Sequence, residues 1–154
     1  MSKHALEEAS DNGATDLEDL IGYNLKRAYI IVQSGFRDAQ GEGGFSPRVF
    51  TALALTVKFP NITQSALARK MGIERSGLVA IVDELESKAL LARARVPGDR
   101  RVQALVPTEA GQQAYDAAMA SVRAHEQDVF SNMSESEKKT LLDLLRKVRK
   151  NEVS

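Results

Sequence analysis

Apolar residues along this chain recur mostly at steps of three and four, with one stretch at steps of two. Leu17, Leu20, Ile21, Leu25, Ala28, Val32 and Phe36 share one face of a helix expected over 16–39. Gly41-Glu42-Gly43-Gly44 ends it. No strand precedes that GEGG and it is too short for a phosphate-cradling fingerprint, so it reads as a linker. Ser46 as N-cap and Pro47 in the first turn open a second helix carrying Val49, Phe50, Leu53, Ala54 and Val57. Thr63 caps a short helix with Leu67, Ala68 and Met71 inward, and Gly72 suits the left-handed residue that closes it. A longer helix follows from about Glu74 to Lys88, its inner stripe Leu78, Ile81, Val82 and Leu85.

The period then becomes two. Ala92, Ala94 and Val96 alternate with Arg93 and Arg95, Pro97-Gly98-Asp99-Arg100 signals a turn, and Val102, Ala104 and Val106 alternate on the return. The reading is a β-hairpin with its arginines on the polar face and tip. Thr108 caps a long helix to about Asn132, and Ser134 with Glu137 forms a capping box for a last helix bearing Leu141, Leu144, Leu145 and Val148. Residues 1–15 are polar and acidic without a period and are expected to be a flexible arm. The fold class is mainly α with a small β-hairpin, and residues 16–154 are expected to form a single domain.

Composition narrows the chemistry. The chain of 154 residues has no cysteine, which excludes disulfides, thiol switches and cysteine-held metals. Its two histidines, His4 and His125, are too few for a histidine-rich metal site, and neither a metal nor a cofactor is expected. No apolar run approaches a membrane span or a signal core, so a cytoplasmic protein without membrane contact is expected. Lys plus Arg equals Asp plus Glu, at 21 each. The balance is uneven along the chain: residues 1–60 carry 6 basic and 8 acidic groups, 61–107 carry 8 and 5, and 108–154 carry 7 and 8. The positive middle fits a local phosphate-binding surface.

That middle is a helix, a tight glycine turn, a second helix and a basic hairpin, the order of a winged helix-turn-helix. The second helix presents Arg75, Ser76, Gly77, Val79 and Ala80 outward, small residues apart from one donor suited to guanine. Gly77 inside a helix has two readings, simple toleration or close approach to DNA. Thr63, Gln64 and Ser65 start the first helix, and Arg93, Arg95, Asp99, Arg100 and Arg101 lie on the hairpin; these thirteen residues are the candidate DNA-binding set. An Arg at a hairpin tip can reach phosphates or the narrow minor groove.

The run from Ile62 to Ile73, Val82-Asp83-Glu84-Leu85-Glu86-Ser87-Lys88, Asp99-Arg100-Arg101, and Thr108-Glu109-Ala110-Gly111 seven residues further on together resemble the MarR family of bacterial transcription regulators. The resemblance covers nearly the whole chain. It implies a homodimer through dimerisation helices at 16–39 and 108–154, with DNA-binding lobes at 46–107 on a pseudo-palindromic operator. It also implies a small-molecule site, Asp99 holding the wing arginines, and Arg100 or Arg101 entering the minor groove. Two positions depart from the family pattern: Ala89 stands where glycine is usual, and Pro107 where leucine is usual.

Leu20-Ile21-Gly22-Tyr23-Asn24-Leu25-Lys26-Arg27-Ala28 is similar to family members that control aromatic-acid catabolism, some of which sense aryl-CoA thioesters. Tyr23, Lys26, Arg27, Tyr29, Phe36 and Phe50 are the candidate ligand-binding set, with rings for an aromatic group and cations for a carboxylate or phosphate. The same rings also read as core and the same cations as solvated. The expected function is a ligand-responsive repressor released from its operator by an aromatic acid or its CoA thioester. Two other function classes compete with this one. An enzyme finds no nucleophile elbow, paired-carboxylate motif or metal spacing here, and His125 on an apolar stripe reads as a core or interface histidine. A winged helix serving only protein–protein interaction is the alternative that composition leaves open.

Overall fold

Asp19 and Leu20 interrupt what the apolar spacing reads as one first helix. The computed structural model describes residues 15–96 and 98–151, so the expected arm lies outside the described residues except for Thr15. The chain divides into two units, one ending at Ser34 and one beginning at Gly35.

The first unit holds α1 (Thr15–Glu18) and α2 (Ile21–Gln33). Leu20 is extended between them, and the Asn24 side chain donates to the Glu18 and Leu20 carbonyls at 2.6 and 2.9 Å. The Asn24 side chain thus stabilises the break. At the other end Ser34 is extended and Gly35 takes φ +77°, so α2 stops there. The helix expected over 16–39 is corrected to two helices and, in the second unit, a 3-10 turn at Asp38–Gln40. No residue of α2 is buried.

In the second unit Gln40 closes the glycine-rich loop. Its amide donates to the Phe36 and Phe45 carbonyls and accepts from Phe45 N–H, all within 3.0 Å. Then follow α3 (Pro47–Lys58), β1 (Ile62–Thr63), α4 (Gln64–Met71), α5 (Arg75–Ser87), β2 (Leu91–Val96), β3 (Asp99–Pro107), α6 (Glu109–Val129) and α7 (Glu135–Arg149). Ser46, Thr63, Thr108 and Ser134 cap α3, α4, α6 and α7 through their hydroxyls. The Ser134–Glu137 capping box is complete, and hydrogen bonds from the Ser134 backbone and hydroxyl hold the Glu137 carboxyl below its ordinary pKa. The sheet is antiparallel in the order β1-β3-β2. β1 is not legible as a strand in the sequence: its two residues pair with Leu105 and Ala104 only because the chain returns to them with β3. Leu53 of α3, Leu67 of α4, Leu78 and Leu85 of α5 and Leu105 of β3 are fully buried together. Each such side chain contributes roughly 1.5–3 kcal/mol, enough to hold the two short helices and the sheet as one rigid lobe.

The junction between α5 and β2 keeps glycine geometry without glycine. Ala89 has φ +56°, Ala89 N–H donates to the Glu86 carbonyl and Leu90 N–H to the Leu85 carbonyl, both at 2.9 Å. This is the paired closure of a Schellman turn. The turn is therefore not reshaped around Ala89. The alanine adopts the left-handed conformation at a cost of about 1 kcal/mol. We expect Ala89→Gly to raise stability by about 0.5 kcal/mol, the relieved strain less the greater freedom of glycine in the unfolded chain. A urea midpoint that rises with unchanged slope would show it, whereas a lower midpoint would refute it. Pro107 is likewise accommodated. It pairs with Leu91 at the end of the ladder, and Thr108 N–H donates to the Leu90 carbonyl beyond it.

Candidate nucleic-acid interface

The α4–α5 pair is set by one glycine. Gly72 takes φ 65° and ψ 34°, its N–H reaching the Ala68 and Arg69 carbonyls, and Ile73 N–H returns to Ala68. This tight reversal lets α5 pack Leu78, Ile81, Val82 and Leu85 inward. Arg75, Ser76, Val79 and Ala80 are then exposed and Gly77 half-buried. A Cβ on Gly77 would meet no atom of the protein within 4 Å. Packing within the protein therefore does not require glycine there.

Three segments distant in sequence meet around one shallow depression of about 110 Å³. Thr63, Gln64 and Ser65 come from the start of α4, Arg75 from the start of α5, and Arg101, Val102 and Gln103 from β3. Five of these are sequence candidates; Val102 and Gln103 were missed. Gln103 had a signal, since it lies two residues from Arg101 and so on the same face of the strand. Arg75 and Arg101 have no salt bridge within 4.0 Å among the described residues, so both guanidiniums are available to an anionic partner. Arg95 is exposed on β2. At the tip Gly98 has φ +86°, and the Asp99 carboxylate accepts from Arg101 N–H at 2.9 Å. Asp99 thus holds Arg101 through the backbone. The side chain of Arg100 lies outside the described residues.

Arg93 departs from its expected place. The alternation predicts it on the hairpin's polar face, but the register sets it opposite Leu105, on the face where Leu91 and Leu105 are buried. Its guanidinium lies 2.6 Å from Asp83 and 3.4 Å from Glu86 of α5. The small side chains of Ala92 and Ala94 carried too little hydrophobic contrast to fix the phase of the strand.

The ligand candidates divide. Tyr23, Lys26, Arg27 and Tyr29 lie on α2 in the first unit. In the second, Phe36 and Phe50 meet edge to face with centroids 5.7 Å apart. Two residues the sequence did not offer as ligand partners join them: Tyr115 stacks on Phe50 at 6.2 Å, and His125 stands edge-on to Phe36 at 6.4 Å. This matches the reading of His125 as a packed histidine.

A family model described as MarR matches residues 43–102, the segment from the glycine-rich loop to the wing. A protein of Thauera aromatica, provisionally assigned as the transcriptional regulator of the hcr operon, is 33% identical over 129 residues, 83% of this chain and 78% of its own. This chain belongs to the MarR family. The solved structure of the repressor CouR bound to a 23-mer DNA duplex is similar at 31% identity and a TM-score of 0.82, over 88% of this chain and 96% of that one. CouR from Rhodococcus jostii RHA1 bound to p-coumaroyl-CoA is similar at 29% identity and a TM-score of 0.77, over 90% of this chain and 97% of that one. This MarR-family chain is a winged helix-turn-helix transcription regulator and not an enzyme: α4 and α5 are the helix pair and β2–β3 the wing. Among the described residues, no helix is long and apolar enough to cross a membrane.

Proposed function

We propose that this MarR-family chain is a homodimeric repressor, acting in the cytoplasm, that leaves its operator when it binds an aromatic acid or the CoA thioester of one. The observation that carries the DNA-binding half is the convergence of Thr63, Gln64, Ser65, Arg75 and Arg101 on one depression. A recognition helix whose first turn reads bases, flanked by a wing arginine for phosphate or minor groove, needs this grouping. The DNA-bound form of CouR supports it.

The dimer reading rests on uncovered apolar surface. On α2, Ile21 is 78% exposed and Ile31 61%. On α7, Leu144 and Val148 are each 55% exposed, and no residue is buried. Such faces on a monomer invite aggregation, and isologous pairing is the common remedy. Under this reading 16–39 and 108–154 serve dimerisation, 46–107 binds DNA, and residues 16–154 act as a single functional domain.

The effector reading is supported by the CouR complex with p-coumaroyl-CoA and by the ring cluster around Phe36 and Phe50. Tyr23, Lys26, Arg27 and Tyr29 are the candidates on α2. The effector must favour the DNA-incompetent arrangement, because equal affinity for both would shift nothing.

A duplex enriched by the protein from a random pool serves as the probe. We expect a dimer by light scattering and an affinity that falls at least about tenfold between about 50 and 200 mM salt. Release is expected with aromatic acids or their thioesters and not with peroxide or zinc. A stable folded monomer, or release by peroxide or zinc alone, would refute the corresponding part. Failure to enrich any duplex would favour a protein-interaction module.

A further inference from the structure

We infer that Arg93 is a positioning residue that locks the wing to the recognition helix, so that Arg75 and Arg101 meet DNA at a fixed separation. The inference rests on the DNA-binding reading above and adds a device to it. Asp83 and Glu86 stand three residues apart on one face of α5, and Arg93 of β2 forks onto both through separate nitrogens. The strand register leaves Arg93 no free choice of direction, because it lies opposite the fully buried Leu105. Its Nε is buried without a hydrogen-bond partner, so the two carboxylates satisfy the outer nitrogens alone.

Besides the leucine core they share, the fork is the second of two polar ties between these elements. The first is the turn at Ala89, where the Glu86 carbonyl accepts from Ala89 N–H. Glu86 therefore serves both, with its backbone in the turn and its carboxylate under Arg93. The turn and the buried leucines fix the root of the sheet, and the hairpin runs on beyond Leu91 to its tip at Gly98. A contact further along the strand limits the swing of that outer part, and preorganisation of this kind lowers the ordering cost of binding.

The competing role for Arg93 is direct contact with phosphate, and the two roles predict opposite signs. If Arg93 bound DNA, neutralising its carboxylate partners would free it and remove two repulsive charges, so binding would tighten. If Arg93 is a lock, the same change loosens the wing and binding weakens. All three side chains are partly exposed, at 27%, 59% and 42% for Arg93, Asp83 and Glu86, so the pairs add little to global stability and the variants are expected to fold.

The experiment measures affinity for the enriched duplex across a salt series. We expect Asp83→Asn with Glu86→Gln to weaken binding by about fivefold or more, the lower end of coupling between two elements. Arg93→Ala should weaken it similarly, and adding it to the carboxylate variant should bring no further loss. The salt slope should stay unchanged throughout, since no phosphate contact is removed. Arg93→Lys keeps the charge but not the fork, and is expected to bind weakly as well. Tighter binding by the carboxylate variant, a slope reduced by about one for Arg93→Ala, or parent-like binding by Arg93→Lys would each overturn the inference. A parent protein that enriches no duplex overturns the DNA-binding reading itself, and this inference with it.

Discussion

Gly111→Ala is expected to lower stability by about 3 kcal/mol, although alanine is the better helix former. Gly111 lies in the first turn of α6, and a Cβ there would overlap the carbonyl of Leu90. That carbonyl cannot retreat cheaply. It accepts from Thr108 N–H at 3.1 Å, while the Thr108 hydroxyl donates to the Ala89 carbonyl at 2.6 Å and accepts from Gly111 N–H at 2.9 Å. Moving Leu90 also disturbs the left-handed turn at Ala89 and withdraws a buried side chain from the core. The overlap costs about 1–3 kcal/mol by overpacking, each broken hydrogen bond adds about 1, and the gain in helix propensity offsets at most about 1. A thermal midpoint lower by roughly 6–12 °C follows for a protein of this size. An unchanged or raised midpoint would show that the α6 start and the α5–β2 junction are not in contact as described.

The same region shows what was legible in the sequence. Local signals read well: Ser46 with Pro47, Thr63, Gly72 and the Ser134–Glu137 box act within four residues of themselves, and each stands where its type predicts. The helix-turn-helix followed from them. Features made by distant partners did not. β1 exists through Leu105 and Ala104, and Tyr115 reaches Phe50 only through the packing of α6 on α3. The phase of β2 failed for a different reason. Alternating Ala and Arg mark a strand but weigh little in choosing its buried face, and the deciding residues, Leu91 and Leu105, lay outside the alternation that was counted. The candidate interface was legible as a list of residues. That Arg93 turns to Asp83 and Glu86 of α5 while Arg95 stays exposed needed the packing of the wing on that helix.

Arg75→Ala and Arg101→Ala are expected to weaken operator binding by different physics. Arg75 opens α5, is exposed, and has only small neighbours on its outer face, Ser76, Gly77, Val79 and Ala80. A helix entering the major groove there brings its guanidinium to base edges, where a bidentate contact to guanine discriminates by about 1–3 kcal/mol. Arg75→Ala should therefore cost about tenfold to a hundredfold on the enriched duplex and relax preference at one position in each half-site. Its affinity for unrelated DNA should hardly change. Arg101 lies on the wing, its backbone fixed by Asp99, and its side chain borders the same depression. If it meets phosphate, Arg101→Ala weakens binding to every sequence alike and lowers the salt slope by about one per protomer. If it enters the minor groove, the loss is larger on A·T-rich flanks. Affinity measured for each variant on the selected duplex, on single-base variants and on random DNA at several salt concentrations separates these cases. Arg75→Ala leaving both affinity and sequence preference intact would mean that α5 does not read the groove.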